Sequence, residues 1–158
     1  MKTTTASATP TSHAAPDTRG PQVVPQRLLD VLCSFASGVP DPATSDVLRH
    51  PEVAPVFAAD AGFRAIALGD GLWAAVRAGG DGGCRVLAVH NVSHRRSRFT
   101  PPEGLRRPEP GLRYLCGEMR TSQNAQGELV CELEPHGYVW LAACDVDTTR
   151  LETAPPLC

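Results

Sequence analysis

Apolar and polar positions alternate most cleanly late in the chain, where Leu129, Cys131 and Leu133 interleave with Glu128, Val130, Glu132 and Glu134. A period of two sets one face of a strand on a core and the other in water. Less regular segments of the same kind cover residues 63–68, 72–78, 85–92, 112–116 and 138–142, with a brief strand near Phe99. Residues 85–92 are nearly all apolar, as expected of a central strand covered on both sides. Gly69-Asp70-Gly71 reads as a tight turn, Gly79 to Gly83 as a flexible hairpin tip, and residues 123–127 and 135–137 as further turns. Strands at this spacing, with little helix between them, predict a mainly β fold, a small antiparallel β-sandwich or open barrel.

Ahead of the strands the period changes. Leu28, Leu29, Val31, Leu32 and Phe35 form an i, i+3, i+4, i+7 stripe, which predicts a short helix over 26–36. Pro25 suits its first turn, and Gly38 and Pro40 stop it. Such a helix is only about three turns long and needs something to pack on. A Pro-rich connector follows, with a helical turn at 45–49 capped by Ser45. The expected organisation is a disordered tail over 1–25, helix and connector over 26–60, an antiparallel β domain over 61–143 and a flexible tail over 144–158. The first tail is mostly Thr, Ser, Ala, Pro and Gly, too poor in large apolar residues to offset its ordering entropy.

Composition narrows the function classes. The 158 residues carry a net charge of −2, which argues against a nucleic-acid footprint. The basic cluster of His94, Arg95, Arg96 and Arg98 reads as a solvated turn. No apolar run approaches the roughly 20 residues that cross a bilayer, and no secretory signal is evident. Cys33, Cys84, Cys116, Cys131, Cys144 and Cys158 show no Cys-x-x-Cys spacing. They read as reduced thiols, several of them acting as small hydrophobes, in a cytoplasmic protein.

Each candidate for chemistry meets a structural alternative. His90 and His94 are four apart, which on a strand separates them by about 13 Å, so no shared metal ion is expected. His90 reads as a buried, hydrogen-bonded strand residue. Glu132 and Glu134 share a face, but a glycosidase pair also needs a cleft, so a solvated outer face is expected. Trp140, Tyr138 and Tyr114 read as core rings. Trp73 points away from the face of Leu72, Ala74 and Val76 and is the candidate for stacking on a sugar. Asn91-Val92-Ser93 matches a glycosylation pattern by coincidence. The Gly-rich run lacks the Lys and Ser/Thr of a phosphate loop. No cofactor or metal site is expected.

Several segments, in order, are similar to a known family. Arg49-His50-Pro51 resembles an Arg-x-x-His-Pro element, and Gly69-Asp70-Gly71-Leu72-Trp73-Ala74-Ala75-Val76-Arg77 resembles a first hairpin. Arg85-Val86-Leu87-Ala88-Val89-His90-Asn91-Val92-Ser93 resembles a central strand ending in His-Asn-Val. Residues 112–117 and Leu133-Glu134-Pro135-His136-Gly137-Tyr138-Val139-Trp140-Leu141 resemble later strands. Together they resemble the C-terminal domain of sucrose-phosphorylase-like members of the α-amylase superfamily of glycoside hydrolases, over roughly residues 48–142. His136 stands where that family usually has Tyr, and Tyr114 where it usually has Asp.

In that family the catalytic carboxylates lie in an upstream (β/α)8 barrel of about 250 residues. Fewer than fifty residues precede the matched region here, so no catalytic residue carries over. The resemblance implies a non-catalytic, accessory or remnant domain that packs on such a barrel. An apolar face, formed partly by residues 28–35, is expected to be exposed for that purpose. The alternative is a stand-alone carbohydrate-binding module that takes α-glucosides at Trp73.

Overall fold

The computed structural model describes residues 23–80, 83–105 and 112–144. The tails expected over 1–25 and 144–158 lie outside these residues except for 23–25 and Cys144, as do Asp81 and Gly82 of the Gly-rich loop. The fold is mainly β, two antiparallel sheets with a thin helical layer.

The apolar stripe does produce a helix, α1, Gln26–Ser37, with Pro25 at its N-cap. Leu28, Val31, Ser34 and Phe35 form its buried face. Gly38 closes it in the left-handed conformation that glycine adopts without strain, and its N–H returns to the Ser34 carbonyl. The connector holds a short helix α2, Ser45–Arg49, and a 3-10 turn, Ala54–Phe57. Thr44, not Ser45, is the N-cap residue of α2, and its side chain makes no capping bond. The Thr44 hydroxyl instead pairs with Ser34 Oγ at 2.6 Å, a buried contact that ties the connector back to α1.

The strands are β1 Gly62–Ile66, β2 Leu72–Ala78, β3 Arg85–Asn91, β4 Ser97–Phe99, β5 Arg113–Gly117, β6 Arg120–Gln123, β7 Leu129–Leu133 and β8 Tyr138–Ala142. The larger sheet runs β1-β2-β3-β8-β5 and the smaller β4-β7-β6. β3 is central, as its apolar run predicts. Val86 and Ala88 face one cluster with Phe35, Val53, Val56 and Trp140, while Leu87 and Val89 face a second with Phe99, Cys131 and Leu133. Alternation along a strand buried on both faces therefore divides the core into two. One half is closed by the helical layer and the other by the small sheet.

Four expectations need correction. Leu28, Val31 and Phe35 are not left exposed, because α1 covers its own larger sheet, and Val31 and Phe35 are fully buried. Tyr114 is not a core ring: it lies on the edge strand β5 and is 45 % exposed. The thiols are not all free, because Cys84 and Cys144 are joined by a disulfide across a sequence separation of 60. Those two cysteines flank the paired ends of β3 and β8, where Val86 sits opposite Ala142. Finally, β6 is a strand that the sequence does not predict, and its last residue, Gln123, falls in a stretch expected to be a turn. Its Arg-Thr-Ser-Gln sequence is polar throughout and exposed, so no hydrophobic period marks it.

Candidate functional site

The most strongly matched motif residues meet where β3 runs beside β8. His90 lies opposite Tyr138 on β8 and opposite Trp73 on β2. The His90 ring is fully buried, stacked on Tyr138 at 5.6 Å and edge-on to Trp73 at 5.3 Å. Its Nε2 accepts a hydrogen bond from Trp140 Nε1 at 3.2 Å. Burial pushes the His90 pKa down to about 3, so the ring is neutral at ordinary pH, with its proton on Nδ1. Trp140 is enclosed in turn by Phe35 at 4.9 Å and Phe57 at 5.8 Å.

Trp73 is half-buried at the rim of this cluster and makes an edge contact with Phe35 at 6.2 Å. Tyr114 is the more exposed ring, and its hydroxyl donates to the Gly117 carbonyl. It lines a groove of about 440 Å³ with Met119, Arg120, Glu132 and Glu134. A Cβ on Gly117 would stand 2.1 Å from the Tyr138 carbonyl oxygen, so only glycine lets β5 approach β8 here.

Of the groove's three glutamates, Glu118, Glu132 and Glu134, the last two form ion pairs with arginines. Arg98 Nε donates to Glu132 at 2.6 Å. Arg96 Nε donates to Glu134 at 2.8 Å, and Arg120 stands 3.2 Å from the same carboxylate. The hydrogen bond from Arg98 holds the Glu132 pKa below the ordinary carboxylate range. This is a ladder of ion pairs along β4, β7 and β6 and the residues that flank them.

Asn91 follows His90 and is fully buried. Its Nδ2 donates to the carbonyls of Arg95 at 2.6 Å and Glu134 at 2.9 Å. Its Oδ1 accepts from the N–H and hydroxyl of Ser93 at 3.0 and 2.7 Å. The amide of the glycosylation-like triplet thus works as an internal staple between the loop after β3 and the turn before β8. That staple brings His94 beside His136, with ring nitrogens 2.9 Å apart.

Sequence reasoning missed Arg77, whose guanidinium is buried beneath α1 and donates to the carbonyls of Phe35, at 2.9 Å, and Ala36. A charged residue within an apolar strand was the available signal. It also missed the His94–His136 pair, whose members are 42 residues apart. Among the described residues no group of three or more His, Cys, Asp or Glu side chains is arranged to hold a metal ion.

No family model matches this chain, and no curated protein matches it. Among solved structures, an alpha-amylase from H. orenii is similar at a TM-score of 0.44 and 16 % identity, over 56 % of this chain and 17 % of that one. This chain thus spans under a fifth of the length of that protein. At such a TM-score the likeness assigns neither a family nor an activity.

Proposed function

We propose that this chain is a non-catalytic β domain related to the C-terminal domain of sucrose-phosphorylase-like members of the α-amylase superfamily, and that it packs on a (β/α)8 barrel. One observation carries the reading: the residues through which the sequence resembles that family are joints of the core. His90 bonds to Trp140, Asn91 staples two turns, and Tyr138 stacks on His90. The polar atoms of a catalytic site face a substrate, whereas His90 Nε2 and the Asn91 amide face other groups of the fold. The surface offered to a barrel is smaller than the sequence suggested, with Leu29, Val39 and Phe63 as exposed apolar residues on α1, the following loop and β1.

A second reading, a module that binds α-glucosides, is favoured by the half-buried position of Trp73 and the exposure of Tyr114. Both readings are tested with the purified chain. A non-catalytic packing domain gives no sucrose phosphorolysis and flat tryptophan fluorescence on titration with maltose, sucrose or starch. Saturable quenching that is lost in Trp73→Ala establishes the binding module, and turnover in a contaminant-free preparation makes the chain an enzyme.

A further inference from the structure

His94 and His136 meet outside the two core clusters, their rings edge to face at 4.7 Å. Both residues sit on turns, His94 in the loop after β3 and His136 between β7 and β8. Neither turn is free to drift, because Asn91 bonds to both and the His136 N–H donates to the Ser93 carbonyl at 3.3 Å. His136 is also the only described non-glycine residue with a left-handed backbone, at φ 58°. Such a conformation persists where the surroundings hold it.

We propose that His94 and His136 form a two-imidazole site for a divalent transition-metal ion, completed by water. The facing atoms are His94 Nδ1 and His136 Nε2, 2.9 Å apart. Two nitrogens each about 2.05 Å from one ion stand about 2.9 Å apart when the angle at the ion is about 90°. That angle belongs to square-planar and octahedral coordination, which copper(II) and nickel(II) favour over the tetrahedral geometry of zinc. His136 presents one nitrogen only, since its Nδ1 is buried without a hydrogen-bond partner among the described residues. His94 is exposed, so the ion has access and water can fill the remaining positions. On entry the ion takes the lone pairs of both facing nitrogens: the ring that donates in the hydrogen bond releases the shared proton to water and takes one up on its other nitrogen, so that both rings bind as neutral imidazoles with no net change in protons. The charged neighbours on the two turns are Arg95, Arg96 and Glu134, and Glu134 is already paired with Arg96 and Arg120. The site is therefore selective for imidazole-seeking ions and indifferent to calcium and magnesium, which need oxygen ligands.

The test is titration of the full chain with nickel chloride and copper(II) chloride, followed by calorimetry and by paramagnetic broadening of the histidine ring resonances. Expected is one ion per chain, copper bound more tightly than nickel, with broadening centred on His94 and His136. The variants are His94→Ala and His136→Asn, the latter because Asn tolerates a left-handed backbone. Each should lose roughly tenfold or more in affinity. If His136→Asn fails to fold, His94→Ala, on an exposed loop, decides alone. Affinity unchanged in His94→Ala, or broadening centred on another residue such as the exposed thiol Cys33, would overturn the proposal.

Discussion

His90 shows how one residue carries a condition for the whole fold. Its ring is buried, accepts from Trp140 and has a pKa pushed down to about 3. In the unfolded chain the same ring titrates near about 6.5. Between those values the unfolded state binds more protons than the folded one, so stability rises with pH. The contribution is complete above about 6.5 and is lost as pH falls towards about 3, at up to about 1.4 kcal/mol per unit. Urea denaturation at pH 7, 5.5 and 4.5 should show this slope, and His90→Gln should flatten it. An equal slope in the variant would assign the effect to other groups. At this scale the sequence was partly legible. Position within an apolar run marks His90 as buried, but its partner lies 50 residues away. In the sequence Asn91 belongs to a glycosylation-like triplet and to the His-Asn-Val end of a strand, and nothing local shows that its amide meets the carbonyls of Arg95 and Glu134.

Among the elements, α1 depends on a contact from the sheet. Arg77 on β2 donates to the carbonyls of Phe35 and Ala36 in the last turn of α1, where the helix dipole favours a cation. Its guanidinium also lies over the rings of Phe57 and Phe63, at 5.2 and 5.4 Å. Arg77→Ala should cost about 2–3 kcal/mol, the scale of hydrogen bonds to a charged donor. Hydrogen exchange at α1 amides should accelerate more than at β3 amides. Arg77→Lys should recover little of this, since a lysine cannot reproduce the two-pronged contact. Protection of α1 unchanged in Arg77→Ala would show that the buried face of Leu28, Val31 and Phe35 holds the helix unaided. The helix itself was legible from that stripe and from Gly38, and β3 and β7 from their patterns. β6 was not, because a polar edge strand has no hydrophobic period and is defined only by its pairing with β7.

For the whole molecule, the sandwich was legible, while its layering was not. Alternation says that a strand has two faces but does not say which element closes each. Here α1 and the connector close the outer face of the larger sheet, so the fold covers most of the surface once expected to be open. The Cys84–Cys144 disulfide was hidden for the same reason, since it requires knowing that β3 and β8 are neighbours. Among the described residues Val23, Leu29, Val39, Phe63 and Tyr114 stay exposed, and the proposed packing would use Leu29, Val39 and Phe63. The packing role is tested most directly by sedimentation of this chain mixed with a soluble (β/α)8 barrel from a sucrose-phosphorylase-like enzyme that lacks its own C-terminal domain. A 1:1 complex, weakened by Phe63→Ser, is the expected result. Two species that sediment independently at micromolar concentration would contradict it.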